Sequence, residues 1–326
     1  MDELIEWIEN IEDIRQKRKV RHKLSDILVI VLFATLANAN EWEEIACFAQ
    51  HQEDYLKKYI RLESGIPSHD TIRRVMGMIN PQYIQQLQVK WNELLSSNEG
   101  EKLKKIINID GKTMRSNKTK DQKASHVVSA WSKEDGYCLG QKVVEEKSNE
   151  ITAIPELLES IQIKCNIVTI DAMGTQTEIA KKIKQKKAEY VLALKGNQGI
   201  LYEEVKEYLE DEEFLREIIK KGNYKKTVEK AHGQIETRQY YQTDDINWLT
   251  SKNKWIGIKS IGMVEKTCEK NGEIIKENRY YISSLKTEIG TFERAVRGHW
   301  AIESMHWHLD VTFREDYNTT IDKTAA

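Results

Sequence analysis

Apolar side chains in the first hundred residues lie three and four positions apart, the spacing of helices with one buried face. This spacing covers residues 24–37, 42–48, 72–79 and 83–95. Ser68 precedes the third segment and can cap a helix that carries Arg73 and Arg74. The pattern predicts a helical domain over residues 1–100. Short basic helices suit a helix-turn-helix DNA reader, and an ordinary helical packing domain is the alternative.

Shorter apolar runs replace this spacing from about residue 105 onward. Strands are predicted at residues 105–110, 126–132, 137–144, 166–171 and 189–194. Helices are predicted between the later strands, at residues 150–163 and 175–187. The order β-β-β-α-β-α-β implies an α/β fold with a mixed sheet and helices on its faces.

The segment that follows is more charged and less regular. It contains one predicted helix at residues 202–221 and two strand-like runs at residues 255–264 and 279–285. We interpret this block, at about residues 199–275, as an insertion, or alternatively as strands that extend the sheet. A last helix is predicted over residues 291–311.

Length and charge add one candidate surface to this picture. The chain has 326 residues, enough for an α/β core and a smaller domain, and its net charge of −2 is low for a nucleic-acid-binding protein. Six of the nine residues at 15–23 are nonetheless Lys or Arg. Within this patch we predict DNA contacts by Lys17, Arg18 and Lys19, with a solvated helix face as the alternative.

Cysteine spacing and hydropathy indicate the compartment. The four cysteines form no CxxC pair, which excludes a zinc ribbon and is typical of reduced cytoplasmic thiols. The longest apolar run, residues 27–37, is too short to cross a bilayer, and the acidic N-terminus does not resemble a signal peptide. We therefore expect a cytoplasmic protein without a membrane partner.

Two predicted strands each end in an aspartate, Asp110 after INI and Asp171 after VTI. A single aspartate at a strand end is more often a turn former or helix cap. If the two strands are neighbours, however, both carboxylates emerge at one edge of the sheet. Two close carboxylates repel each other unless a cation lies between them, and Mg²⁺ prefers such oxygen ligands.

The predicted last helix carries a third acid. At about 100° per residue, His299, Glu303, His306 and Asp310 fall on one face. A neighbouring stripe of Trp300, Trp307 and Val311 is predicted to dock this helix. A surface helix with i,i+4 pairs is one alternative. A zinc site is another, although no HExxH motif occurs and no cysteine is near.

Two strand acids and one helix acid can together hold two metal ions, which would lie ~3.5–4 Å apart and stabilise the attacking and leaving oxygens. This arrangement suits hydrolysis of a phosphodiester followed by attack of the freed 3′-hydroxyl. Basic residues near the acids are candidate DNA contacts, and each is also compatible with a plain surface charge. These candidates are Lys112, Arg115, Lys195, Arg297 and His299.

Several longer stretches carry a resemblance to a known family. They are IPSHDTIRRV (66–75), IDGKTMRS (109–116), HVVSAW (126–131), TIDAMGTQTEIA (169–180), YVLALKGNQ (190–198), HGQIETR (232–238), RYYISSL (279–285) and RGHWAIESMHWHLDVTFRED (297–316). In combination the chain resembles the DDE transposases of bacterial insertion sequences, of the type that includes the H-repeat-associated proteins of Rhs elements.

The resemblance implies a ribonuclease-H-like catalytic domain over residues 101–326, with the insertion placed before its last helix. It implies a transposase-associated helical domain over residues 1–100 that helps to bind DNA. Carried over residue by residue, the catalytic and metal-binding triad is Asp110, Asp171 and Glu303. The implied cofactor is Mg²⁺, with Mn²⁺ as a substitute. The implied partners are the element's terminal inverted repeats and a target duplex, bound by a dimer.

Three positions depart from the family pattern. Related transposases often place Tyr, Arg and Lys around the Glu, where this chain has Val296, His299 and Asp310, so those roles do not carry over. His232 receives no role. Family members generally continue beyond the point that corresponds to Ala326. The alternatives are therefore a C-terminally truncated remnant that binds DNA without catalysis, or a metal-dependent nuclease without strand transfer.

Overall fold

A computed structural model describes residues 2–96, 104–116, 118, 124–144, 149–231, 234–270 and 273–317. The chain divides into two compact units. The first comprises Met1–Glu99, Thr113–Ser125 and His306–Ala326, and the second comprises Gly100–Lys112 and His126–Met305. Among the described residues, we find no helix with both the length and the apolar character needed to cross a membrane.

The N-terminal part of the first unit is helical, as the apolar spacing predicted. Its helices are α1 (Asp2–Glu9), α2 (Leu24–Leu36), α3 (Trp42–His51), α4 (Glu53–Leu56), α5 (His69–Met76) and α6 (Pro81–Ser96). Ile27, Ile30 and Ile72 are fully buried among them because apolar positions recur on one face of each helix. Ser68 caps α5 by accepting a hydrogen bond from the Thr71 amide at 3.4 Å, which confirms the predicted start of this helix.

The second unit is built on one nine-stranded sheet. Its strands are β1 (Ile106–Thr113), β2 (His126–Ser132), β3 (Tyr137–Val144), β4 (Ile167–Ile170), β5 (Glu189–Leu194), β6 (Tyr224–Ala231), β7 (Gln234–Thr243), β8 (Ser260–Lys270) and β9 (Glu273–Ser283). The spatial order is β3-β2-β1-β4-β5-β9-β8-β7-β6. Strands β1, β4 and β5 are parallel, whereas β2–β3 and the run from β5 through β9 to β6 are antiparallel. The predicted mixed sheet is therefore confirmed.

Helices cover both faces of this sheet. They are α7 (Glu150–Ser160), α8 (Thr177–Gln185), α9 (Ile200–Glu210), α10 (Glu212–Lys220) and α11 (Ile289–Val311). Alternate residues of β1 and β4 enter separate cores. Ile107 and Val168 pack in the core that contains residues of α7 and α8, while Ile106 and Ile167 pack with Phe292 of α11. The even-numbered side chains of β1 therefore lie on the α11 face of the sheet.

The charged block before α11 extends the sheet, which was one of the two predicted alternatives. Strands β6 and β7 were not predicted at all. The strand predicted at residues 255–264 starts only at Ser260, because Lys252–Lys254 form a short 3-10 helix and the chain reaches the sheet after it. The predicted helix at residues 202–221 is two helices, broken at Asp211, which caps α10.

Candidate active site

Asp110 and Asp171 are brought together by two neighbouring parallel strands. In the register of β1 and β4, Ile109 is paired with Ile170, so the two aspartates occupy the next position on each strand. Neighbouring strands lie ~4.8 Å apart. Asp171 follows β4 as predicted, whereas β1 continues past Asp110 to Thr113. By strand alternation both aspartates lie on the face that α11 covers.

The loop after β4 fixes the orientation of Asp171. Its Oδ1 accepts hydrogen bonds from the amides of Met173 at 3.0 Å and Gly174 at 3.1 Å. A side chain at Gly174 is excluded, because a Cβ there would lie 2.4 Å from Cγ2 of Ile170 and 2.8 Å from Cδ1 of Ile154. Glycine at this position therefore lets the loop fold against the strand and aim its amides at the carboxylate.

Burial and like charges act on Asp110 together. Burial raises the pKa of Asp110 most, a backbone hydrogen bond from Gly111 opposes this, and repulsion from Asp171, Glu150 and Glu303 adds to the rise. The resulting pKa is about 7, against an ordinary value of 3.8. A divalent cation at this place would favour the ionised carboxylate and relieve the repulsion.

A fourth acid, Glu150, lies beside Asp110 and was not predicted from the sequence. It begins α7, and its Oε1 lies 2.6 Å from Nε2 of His126 on β2. A Cβ on Gly111 would lie 2.2 Å from that oxygen and 2.5 Å from that nitrogen. The pair therefore packs directly on the backbone next to Asp110. Only glycine at this position leaves room for it.

A buried polar network fixes α11 against the two aspartate strands. Nδ2 of Asn108 donates to the Gly298 carbonyl at 2.9 Å, and Oγ1 of Thr169 donates to Oδ1 of Asn108 at 2.8 Å. Nδ1 of His299 lies 3.0 Å from the same Thr169 oxygen. Asn108 and Thr169 are 0% and 2% exposed and sit two residues before Asp110 and Asp171. A signal for both was present, since each interrupts an otherwise apolar strand.

Glu303 follows His299 by about one helical turn. Burial raises the pKa of Glu303, and the positive charge of Arg279 opposes that rise. The Arg279 guanidinium lies 4.5 Å from the centre of the Trp300 ring and donates from Nε to Glu277 at 2.8 Å. Sequence reasoning did not single out Arg279, because nothing in its strand pattern indicates proximity to Glu303.

The face by which α11 docks differs from the predicted stripe. Its buried residues are Phe292, Ala295, Val296, Gly298, Ile302 and Met305. Trp307 is 56% exposed and Val311 is 55% exposed. The prediction that Trp307 and Val311 dock the helix was therefore wrong, whereas Trp300 is half-buried and packs against Arg279. Small and aliphatic side chains fit the close approach to the sheet, where a Cβ on Gly298 would already lie 3.3 Å from Ile106.

The donor set of this site suits a hard divalent cation. Its oxygen ligands are carboxylates, which Mg²⁺ and Mn²⁺ accept and which soft metals disfavour. Among the described residues, no three His, Cys, Asp or Glu side chains already stand in a coordination arrangement. The chemistry of the donors therefore fits a magnesium-type ion, and the predicted zinc alternative gains no support within the described ranges.

Six of the candidate DNA contacts lie in the first unit. Lys17–Lys19 form an exposed 3-10 turn, and Arg73 and Arg74 are exposed in the last turn of α5. Arg115 has a side chain that is 84% exposed, with its Nε 3.7 Å from Asp316. Each cation is accessible to a phosphate, and the prediction that they contact DNA stays a prediction.

The other candidates belong to the second unit. Lys112 lies two residues after Asp110 on β1, and Lys195 is exposed directly after β5. Arg297 donates to Glu229 at 2.6 Å. Half-buried His299 bonds to Thr169 in the polar network, and the prediction that it contacts DNA stays a prediction. His232 and residues 318–326 lie outside the described residues.

Comparison with known proteins identifies the family of this chain. The sequence model of the transposase DDE domain matches residues 101–325, and that of the DDE_Tnp_1-associated domain matches residues 5–92. Since the first match covers most of the chain, the protein belongs to the DDE transposase family. Similarity to curated proteins places it among transposases of the H-repeat type.

Three relatives illustrate this placement. Putative transposase YncI of Escherichia coli O157:H7 is 43% identical over 322 residues, which cover 96% of this chain and 80% of the relative. H repeat-associated putative transposase YhhI of Escherichia coli K12 is 38% identical over 325 residues, covering 97% and 84%. Inactive transposase YbfQ of the same strain is 46% identical over 77 residues, 24% of this chain and 92% of the relative.

Proposed function

We propose that this protein is an insertion-sequence transposase that cleaves DNA phosphodiesters at the ends of its element and joins the freed 3′-hydroxyl to target DNA. The observation that carries the proposal is the register of β1 and β4, which sets Asp110 and Asp171 side by side. The packing of α11 on the same face, through Asn108 and Gly298, supports Glu303 as the third acid. The catalytic domain in this proposal is ribonuclease-H-like and spans residues 101–326, and the block at about residues 199–275, inserted before its last helix, contributes the strands that extend the sheet.

The cofactor in this proposal is Mg²⁺, with Mn²⁺ as a substitute, held by Asp110, Asp171 and Glu303. When bound, such ions activate the attacking oxygen and stabilise the leaving oxygen of an in-line displacement. The family as a whole is generally dependent on a divalent metal. The repulsion from Asp171, Glu150 and Glu303 that raises the pKa of Asp110 supports a cation at this place, because a cation between the carboxylates would relieve that repulsion.

The remaining groups of the site orient the acids and the DNA. The amides of Met173 and Gly174 hold Asp171 in one orientation. Arg279, stacked on Trp300, supplies a fixed positive charge beside Glu303. Lys112 and Lys195 are placed to contact phosphates of the bound strand. These roles require no covalent protein intermediate.

DNA binding outside the catalytic domain is assigned in this proposal to the helical domain of residues 1–100. Its exposed cations, Lys17, Arg18, Lys19, Arg73 and Arg74, suit the sequence-independent attraction to phosphates. The DNA recognised is a duplex that carries the terminal inverted repeats of the element, together with target DNA. Because transposition joins two ends, we propose a dimer on DNA.

The test is cleavage of a plasmid that carries the element's ends. The full chain is compared with Asp110→Asn, Asp171→Asn and Glu303→Gln in Mg²⁺, in Mn²⁺ and in EDTA. Glu293→Gln is the matched control, since Glu293 lies on the same helix and pairs with Lys225 at 3.2 Å. The proposal expects end-specific nicks and joined products from wild type and the control, and neither from the three site variants.

Two other results would each point to a different function. Nicking without joined products would indicate a metal-dependent nuclease. A folded wild-type chain that shifts end DNA in a gel but never cuts it would indicate a DNA-binding remnant. Either result contradicts the proposed transposase activity.

A further inference from the structure

Gly298, Asn108 and Thr169 form a chain of hydrogen bonds behind the aspartates. The Gly298 carbonyl oxygen determines which group donates and which accepts in each bond. The Gly298 carbonyl can only accept, so Asn108 must present its NH₂ group there, at 2.9 Å. The Oδ1 of Asn108 then faces Thr169, whose single hydroxyl proton is donated to it at 2.8 Å. No proton remains on that hydroxyl for any further bond.

The same reasoning fixes the proton on His299. Its Nδ1 lies 3.0 Å from the Thr169 oxygen, which is already a donor to Asn108 and can only accept. Nδ1 must therefore carry the hydrogen. In a neutral imidazole the other nitrogen, Nε2, is then an acceptor with a free lone pair. None of the described residues forms a hydrogen bond with Nε2 of His299, so that lone pair is available to a ligand.

The surroundings keep this ring neutral. Burial lowers the pKa of His299 to about 4, which the nearby charge of Asp171 opposes and that of Arg279 reinforces. The His299 ring is thus near Asp171 and near the Arg279 guanidinium, which also acts on Glu303. It precedes Glu303 on α11 by four residues, so any rotation of the helix that breaks the Thr169 bond also displaces Glu303.

We propose that His299 is a positioning residue of the site, locked as the Nδ1–H tautomer by the Gly298–Asn108–Thr169 chain and offering Nε2 as a hydrogen-bond acceptor to a hydroxyl or water at the acids. The inference rests on the proposed function. It assigns a role to the residue that stands where related transposases often have arginine. The chain of bonds sets the rotation of α11, and with it the placement of Glu303 relative to Asp110 and Asp171.

The tautomer is tested first, by long-range ¹H–¹⁵N correlation spectra of the histidine rings in the full chain near pH 7. His299 is assigned by its loss in His299→Gln. His51 and His22 serve as internal references, because their Nδ1 atoms donate to the carbonyls of Cys47 at 2.8 Å and Gly65 at 3.1 Å. The proposal expects the Nδ1–H pattern for His299. An Nε2–H pattern in the wild-type protein overturns it.

The positioning role of His299 is tested with two substitutions at Thr169. Thr169→Val keeps the shape but removes the hydroxyl, so we expect mixed tautomers for His299 and a loss of end cleavage of about 100-fold, as misplaced catalytic groups give. Thr169→Ser restores the hydroxyl and should recover both the tautomer and the rate. Thermal unfolding is followed alongside. If Thr169→Val unfolds, Asn108→Ser replaces it, because Ser is too short to reach both partners.

The outcomes separate this inference from the proposed function. A changed tautomer with an unchanged cleavage rate overturns the positioning role, and an unchanged tautomer in Thr169→Val overturns the network. Equal losses of cleavage rate in Thr169→Val and Thr169→Ser indicate a packing effect and also overturn the positioning role of His299. A wild-type chain that never cuts end DNA contradicts the proposed function and removes the catalytic role with it. The spectra still decide the tautomer in that case.

Discussion

Strands β1 and β4 and the group β6–β9 belong to one sheet but hold their polar side chains in different ways. In the buried stretches of β1 and β4, residues 106–109 and 167–170, the polar residues are Asn108 and Thr169, and they bond to each other and to α11. In β6–β9, which we call the sheet extension, charged residues pair across strands near solvent. Examples are Lys266 with Glu236 and Lys276 with Glu265.

This difference shows which polar residues of a sheet indicate a candidate site and which stabilise its surface. A polar side chain inside an apolar strand loses its hydration and must find a specific partner, so its place is fixed by what it bonds. Charges that pair across a half-exposed sheet retain solvent and can be exchanged at small cost. The first kind marks the candidate site, and the second stabilises a surface.

The largest effect is expected where the site tolerates no added atom. Gly111→Ala would force the His126–Glu150 pair away from Asp110, since the new Cβ would lie 2.2 Å from Glu150. We expect an about 100-fold slower end cleavage, with little loss of stability because the displaced atoms are the ends of flexible side chains. Gly290→Ala is the control, because a Cβ there meets nothing within 4 Å. Equal cleavage by both variants would show that the pair does not influence the site.

The next effect compares the buried amide of Asn108 with the half-buried amide of Gln239. Asn108→Leu leaves the Thr169 hydroxyl and the Gly298 carbonyl without their partner in a dry interior, which should cost about 1–3 kcal/mol of unfolding free energy. Gln239→Leu removes bonds to Tyr224 and Glu265 on the partly exposed sheet extension and should cost less. Chemical denaturation measures both. A larger loss of unfolding free energy in Gln239→Leu than in Asn108→Leu would contradict the contrast between the two regions.

An effect with opposite signs in the two regions is expected from pH. Because the pKa of Asp110 is raised from 3.8 to about 7, its contribution to stability is present at low pH and is lost as pH rises through about 7. In EDTA, Asp110→Asn should therefore match the wild type near pH 4 and be more stable than it near pH 8. Denaturation curves at both pH values provide the check.

Glu236 in the sheet extension should behave in the reverse sense. Burial raises its pKa, but the hydrogen bond from Lys266 and the charge of Arg238 outweigh this and lower it below the ordinary value of 4.5. Its contribution is present above pH 4.5 and is lost as pH falls through the lowered pKa. Glu236→Gln should thus be destabilising near pH 8 and neutral in strong acid. The same sign for both residues would contradict this contrast.

The smallest effect is expected for an exposed ion pair of the sheet extension. Lys276 lies 2.7 Å from Glu265, with a Lys side chain that is 58% exposed. Lys276→Gln should change the unfolding free energy by at most about 1 kcal/mol, and less at high salt. A loss of several kcal/mol that persists in high salt would show that the extension is stabilised by its charges.

The sequence was informative where apolar periodicity is strong. Helices α2, α3, α5 and α6, the parallel strands β1, β4 and β5, and α11 lie close to their predicted positions, because each buries an apolar face or run. Strands β6 and β7 escaped prediction because their lysines and glutamates hide the alternation. The docking prediction for Trp307 and Val311 was wrong because mostly smaller side chains occupy the buried face of α11.

The residues of the candidate site also differ in whether local sequence patterns predict them. Asp110 and Asp171 were found because each ends an apolar run, and the parallel register then places them together. Glu150, His126 and Arg279 were missed because their proximity depends on a helix start, a neighbouring strand and the sheet extension, none of which is visible in local spacing. Whether Asp110, Asp171 and Glu303 act as the triad stays a prediction.

The central claim is that the paired aspartates bind a divalent cation, and calorimetric titration of the full chain with Mn²⁺ tests it most directly. Wild type, Asp110→Asn, Asp171→Asn and the Glu293→Gln control are compared after their folding is verified. We predict equal binding by wild type and control, and at least about tenfold weaker binding by each aspartate variant. Binding that is unchanged in the aspartate variants, or absent from the folded wild type, would contradict the account.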